Sequence, residues 1–208
     1  MPPFLIAVAG PSGAGKSYLA QHLASSLPAP AAVLSLDSYY RELTGYTREQ
    51  RCAFNFDHPD ALDLPLLREQ ITGVLDGHPI NRPVYRFETH SRAPDSAPFA
   101  PTPFVILEGI FALYFPEIRD RARLKIFVHT PDGLCFDRRL QRDTVERERS
   151  ADSVTKQYAE TVRPMAYQHV WPTADFADLI LPGNQPIAQS IQQVLDRLTP
   201  TVKEASTG

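Results

Sequence analysis

The sequence predicts an α/β chain whose parallel sheet is covered by helices on both faces. Three observations point there. Short apolar runs recur along the chain, helical periodicity fills the gaps between them, and the first run ends in a glycine-rich turn that opens a helix. That run, Phe4–Ala9 (FLIAVA), is apolar throughout, as suits a strand buried on both faces. A helix is expected from about Lys16 to Leu27, then a second buried strand over Ala31–Leu36 (AAVLSL) ending at Asp37. LPLLREQITGVLDG has helical periodicity and closes at Gly77. FVILEG (Phe104–Gly109) and LKIFVH (Leu124–His129) read as further strands, and DLILP as the last. A long charged helix is expected from about Asp132 to Arg149.

Residues 80–101 break this rhythm. Their extended pieces and many prolines predict an irregular or hairpin-like insertion on the functional side of the sheet. At 208 residues the chain suits one domain over 1–208, with a tail from Thr199 to Gly208 expected to fray. A formal net charge of -3 offers no broad positive field for nucleic acid or a membrane surface. No apolar run approaches the ~20 residues of a membrane span. A phosphate-type loop starting at Gly10 leaves no room for a signal peptide, so a cytoplasmic location is expected. Cys52 and Cys135 form no metal-type cluster and read as small, partly buried apolar residues.

Gly10-Pro-Ser12-Gly13-Ala14-Gly15-Lys16-Ser17 satisfies G-x-x-x-x-G-K-[ST], set between a predicted strand and a predicted helix. In such a loop successive N–H groups turn inward around a β-phosphate, and the helix N-terminus adds partial positive charge. Lys16 would reach β/γ oxygens and Ser17 would help ligate Mg²⁺. The fold class is therefore that of a P-loop NTPase-type sheet, with a small β-hairpin insertion and a helical lid. A guanine-reading N-K-x-D is absent, since no Asn-Lys pair occurs anywhere. A motor or transport ATPase would bring a larger chain, which leaves a small-molecule kinase as the economical reading.

Such a kinase needs a carboxylate for the acceptor hydroxyl, an acid near Mg²⁺, and mobile arginines over the transferring phosphoryl group. Asp37 lies at the carboxyl end of the second strand, where parallel sheets place their chemistry. Glu108 ends the strand beside the phosphate loop, in reach of Mg²⁺ through water. Arg138, Arg139, Arg142, Arg147 and Arg149 form the cluster expected to act as a lid over residues 138–157.

GPSGAGKS, LDSYYR, FNFDHPDALD, PVYRFETHSR, EGIFAL and RRLQRDTVERERS, in that order, resemble the uridine kinase (uridine–cytidine kinase) family, from Val8 to about Leu181. The resemblance implies 5′-phosphorylation of uridine and cytidine in pyrimidine salvage, with ATP or GTP as donor and Mg²⁺. It implies that Asp37 is the general base and that Asp57 holds the ribose 2′- and 3′-hydroxyls. Tyr85 would flank the base and His90 would face its C4 substituent. Arg139, Arg142, Arg147 and Arg149 fall on lid positions, with Arg149 stabilising charge on the transferring group and Gln157 on the substrate side. A homotetramer is implied by the family alone. Asp60 and Asp63 read instead as caps.

Two residues depart from the family pattern. Arg86 stands where Y-D-F has its acid, which bears on base-side hydrogen bonding. Glu148 replaces the glycine of E-R-G-R and is expected to favour continued helix. Related kinases of phosphoribulokinase or pantothenate kinase type, and a non-catalytic nucleotide sensor, are the alternative readings.

Overall fold

The computed structural model describes residues 2–205; of Arg48 and residues 199–205 it describes the backbone alone. The central sheet has five parallel strands in the order β2-β5-β1-β6-β7. These are β1 (Phe4–Ala9), β2 (Ala31–Ser35), β5 (Phe104–Glu108), β6 (Leu124–His129) and β7 (Leu179–Pro182), while β3 (Ile80–Arg86) and β4 (Ser91–Phe99) form a separate antiparallel hairpin. The helices are α1 (Lys16–Ser26), α2 (Arg48–Cys52), α3 (Leu64–Leu75), α4 (Pro116–Arg119), α5 (Asp132–Val145), α6 (Ala151–Gln157), α7 (Arg163–Met165) and α8 (Ile187–Ala205). The frayed tail expected from Thr199 falls where side chains are not described, and residues 206–208 lie outside the described residues. No helix among the described residues is long and apolar enough to cross a membrane.

Strand alternation sorts the apolar residues into two layers. Phe4, Ile6 and Val8 of β1 pack with Ile106, Ile126 and Val128 beneath Leu19 and Leu23 of α1 and Val194 of α8. Leu5, Ala7 and Ala9 face the other way, with Val105, Leu107 and Phe127, under Leu67, Ile71 and Val74 of α3. The sheet is therefore sealed on both sides, and the open chemistry is confined to the carboxyl ends of its strands.

Two element ends differ from the sequence expectation. β2 stops at Ser35 because Leu36–Tyr39 turns into a 3₁₀ segment, with the Ser35 hydroxyl accepting from the Asp37 N–H at 3.3 Å. The helix expected to reach Arg149 ends at Val145. Beyond α6, the chain stays helical through wide π-type turns at Tyr158–Val162 and Ala166–Val170, on either side of α7. Pro164 sits between them, and its missing N–H breaks the regular bonding ladder there.

Asp63 caps α3, its Oδ1 accepting from the Leu66 N–H at 3.3 Å. Asp60 does not cap: His58 accepts from the Asp60 N–H, and the Asp60 carboxylate is exposed. Cys135 is buried as expected, its thiol pushed up to about 11 by burial, whereas Cys52 is exposed.

Candidate active site

The phosphate loop joins β1 to α1 and lies between the ends of β5 and β6. Gly10 (φ 144°) and Gly13 (φ 82°) adopt conformations that side chains resist, and a Cβ on either would strike a backbone carbonyl, Val128 O at 2.5 Å or Cys135 O at 2.2 Å. Ala14 is buried, and its carbonyl accepts from the Thr130 hydroxyl at 2.9 Å, pinning the loop to the end of β6. Gly15 is the N-cap of α1 and supplies no side-chain cap, leaving the first N–H groups to other acceptors.

Lys16 is buried, with Nζ donating to Pro11 O at 2.9 Å. Burial lowers its pKa, while the charges of Glu108 and Asp37 act in the opposite direction. The Ser17 hydroxyl donates to Glu108 Oε2 at 3.0 Å. Burial raises the Glu108 carboxyl, and the neighbouring Asp37 charge raises it further. Asp37 reaches this place because Ser35 pairs with Glu108 across the β2–β5 register.

One cavity of about 90 Å³ gathers these groups with the acceptor-side candidates. It is lined by Ser12, Gly13, Lys16, Ser17, Asp37 and Glu108, and also by Asp57, Tyr85, His90 and Gln157. Arg139, Arg142, Arg147 and Arg149 close it. Gly10, Ala14 and Gly15 shape the loop without lining this cavity.

The far end of the cavity is an aromatic cradle. His90 stacks on Phe56 with centroids 5.1 Å apart and planes at 16°. Tyr85 lies 5.3 Å from Tyr40 and 5.3 Å from Phe87. The Tyr85 hydroxyl is buried and has no hydrogen-bond partner among the described residues, and burial raises its pKa well above the ordinary tyrosine value. Asp57 is buried beside the cradle, held by an Asx turn in which Asn55 accepts from the Asp57 N–H at 3.1 Å. Burial raises its carboxyl, while the Arg139 guanidinium, 3.9 Å away, pulls it down.

The hairpin is fastened to the segment that carries Asp37. Arg92 donates to Tyr40 O at 2.9 Å and to Asp63 Oδ2 at 3.1 Å, and Arg82 donates to Ser38 Oγ at 3.2 Å. Above the site, Gln157 Oε1 accepts from both Arg139 (3.0 Å) and Arg149 (2.7 Å), and Arg139 also donates to Ser12 Oγ at 2.8 Å. The Arg147 guanidinium sits 3.8 Å over the Phe87 ring.

Residues 5–187 match the model of the Phosphoribulokinase / Uridine kinase family. The chain belongs to that family. It is 42% identical over 182 residues to a uridine kinase of Lactobacillus helveticus, covering 86% of each chain. It is 40% identical over 201 residues to a uridine kinase of Deinococcus deserti, covering 96% of this chain and 97% of that one. Among solved structures, a phosphoribulokinase from Rhodobacter spheroides superposes with a TM-score of 0.64 at 16% identity, over 89% of this chain and 74% of its own. A shikimate kinase from Bacteroides thetaiotaomicron gives 0.53 at 18%, over 94% and 98%. Those two likenesses concern the fold.

Within this family's frame, three residues of the chain differ from what their sequence context suggested. Arg138 is not a lid residue: it turns behind the phosphate loop and donates to Gly183 O at 3.1 Å. There it borders a second cavity of about 340 Å³ beside Gly15, Tyr18, Asn184 and Gln185. Arg86 is exposed, because Tyr85 and Phe87 alternate toward the cradle and the residue between them points away. Glu148 does not extend the helix. It adopts φ 52°, the left-handed conformation that glycine takes at no steric cost, and the following Arg149 N–H closes the turn on Asp143 O at 3.1 Å.

Glu148→Gly should therefore raise stability by about 1 kcal/mol by removing left-handed strain at an exposed position. A rise in the thermal midpoint checks this, and a fall would show that the Glu148 side chain makes up for its backbone.

Tyr40, Phe56, Phe87 and Asp143 were not singled out in the sequence. Phe87 was within reach of the i, i+2 alternation from Tyr85, and Phe56 stands one residue before Asp57. Asp143, at the centre of the arginine cluster, stands inside the RRLQRDTVERERS motif, but nothing in that motif gave it a role.

Proposed function

We propose that this chain transfers the γ-phosphoryl group of ATP to the 5′-hydroxyl of uridine or cytidine, giving UMP or CMP. The observation that carries the reading is a single cavity lined at once by the phosphate loop, by an aromatic cradle with a buried carboxylate, and by Asp37.

The aromatic rings hold a flat pyrimidine by stacking. Asp57 accepts from the ribose 2′- and 3′-hydroxyls, so a deoxyribose leaves a buried acceptor short of a donor. His90 serves either base, since a neutral imidazole donates to an oxo group or accepts from an amino group according to tautomer. Asp37 takes the 5′-hydroxyl proton as that oxygen forms its bond to the γ-phosphorus. The bond from phosphorus to the β–γ bridging oxygen breaks, and ADP departs. Lys16 and the lid arginines face the oxygens on which charge accumulates, with Arg149 assigned to the transferring group. Gln157 holds Arg139 and Arg149 in register.

Ser17 and Glu108 are the hard-oxygen donors that fit Mg²⁺, which keeps several waters and is commonly held by only one or two carboxylates together with substrate phosphates. Among the described residues no group of three or more His, Cys, Asp or Glu is placed to hold a metal by itself, in keeping with that mode. When bound, Mg²⁺ supplies neutralisation of the β- and γ-phosphate charge. The second cavity, beside Gly15 and Tyr18, suits the donor's base and ribose; ATP and GTP are both candidates.

The test is ADP release with ATP and Mg²⁺ against uridine, cytidine, 2′-deoxycytidine, ribulose 5-phosphate and pantothenate. Release with the two ribonucleosides, much weaker with the deoxy form, is expected. Silence with all five despite ATP binding would leave a nucleotide sensor instead. The KM for uridine should also climb as pH falls through a value raised above the ordinary aspartate pKa. Burial raises the Asp57 carboxyl, and its protonated form loses acceptor capacity. In Asp57→Asn that acid limb should vanish from the KM profile.

A further inference from the structure

Behind the lid arginines lies a carboxylate that the mechanism above does not use. Asp143, on the last turn of α5, is fully buried and does not line the substrate cavity. Its Oδ1 receives Arg142, Nη2 at 2.8 Å and Nε at 2.9 Å, and faces Arg147 Nη1 at 3.3 Å. Its Oδ2 faces Arg149 Nη1 at 3.3 Å and Arg139 Nε at 3.7 Å. Its backbone carbonyl also accepts the Arg149 N–H at 3.1 Å. One residue thus meets four guanidiniums from helix, turn and loop.

Burial alone would push this carboxyl up, but Arg142, Arg139 and Arg147 hold it below the ordinary aspartate range, so it is ionised at neutral pH. Guanidiniums brought together repel one another, and freely rotating side chains would spread into water. The two-oxygen acceptor that all four share offsets this repulsion, with Gln157 as a second tie between Arg139 and Arg149 alone.

We propose that Asp143 is the positioning residue of the lid, holding Arg142, Arg147 and Arg149 as a preassembled set for the polyphosphate of the donor. The proposal rests on the kinase reading only for the name of its ligand. Its chemistry is that of a polyphosphate anion meeting three oriented forks.

Charge and position predict opposite signs, which makes the proposal testable. Removing a negative charge beside an anion site should tighten anion binding if charge alone matters. Removing the group that aligns the arginines should weaken it. The measurement is calorimetric binding of inorganic tripolyphosphate to the purified chain, without nucleoside, for wild type and Asp143→Asn. We expect Asp143→Asn to bind about tenfold more weakly or worse, with the KM for ATP rising by a similar factor and the KM for uridine moving far less. Equal or tighter binding by Asp143→Asn overturns the proposal.

Asp143→Glu guards against a variant that does not fold, because it keeps the charge and displaces it by one methylene. Wild-type affinity in that variant also overturns the proposal, since charge without position would then suffice; weakened binding supports it. A wild-type chain that binds tripolyphosphate but releases no ADP with uridine would sink the kinase reading and leave the role of Asp143 standing.

Discussion

Asp37→Asn should fold, bind ATP, and phosphorylate uridine about 10²–10⁴ times more slowly than wild type, the range that a positioned general base contributes. The substitution keeps the shape of the side chain and removes only its capacity to take a proton. It also relieves a repulsion, because the Asp37 charge is one of the two causes raising the Glu108 carboxyl. No stability penalty is therefore expected. The decisive comparison pairs single-turnover rates with equilibrium ATP binding. A loss of rate at preserved affinity places Asp37 in the chemical step. Near-normal turnover would remove it from the base role and leave proton loss to solvent.

The second large effect concerns folding. A methyl group on Gly13 would sit 2.2 Å from Cys135 O and 3.1 Å from Cys135 Cα, against backbone that cannot rotate aside, at φ 82°. Overpacking and left-handed strain together should cost about 2–5 kcal/mol. Cys135 is in the first turn of α5, the helix that bears Arg139 and Arg142. Moving it out of the way would shift those arginines as well as the phosphate loop. Gly13→Ala should accordingly lower the thermal midpoint and the affinity for ATP together. Gly133→Ala is the matched control, since a Cβ there meets nothing within 4 Å and lies within α5, where alanine is the better helix former. If the two variants melt alike, the close approach of Gly13 to α5 is not what stabilises the loop.

What the sequence made legible was whatever had a local cause. The phosphate loop, the acids at the ends of β2 and β5, and the antiparallel insertion all follow from spacing and strand ends. The misread residues were those whose partners the sequence pattern did not single out. Arg138 shares a charge run with Arg139, yet neighbours on a helix diverge by about 100°, so one turns toward Gly183 and the other toward Ser12. Glu148 has helix propensity, but the tie from Arg149 to Asp143 draws the chain into a left-handed turn. Asp60 resembled a cap, and His58 took that place. Asp143 was given no role from the sequence, and only the fold shows it as the point on which four arginines converge.

Arg82 and Arg92 rivet the hairpin to the strip of chain bearing Asp37, Tyr40 and Asp63. For anyone re-engineering the pocket, that makes the hairpin a cassette with a fixed mount and an exchangeable tip. The turn at residues 87–90 presents Phe87 and His90, while both rivets lie outside it. A library confined to that tip can vary the aromatic end of the cavity without loosening the mount, whereas grafting the whole hairpin without its two arginines would cut that end free from the segment that carries Asp37.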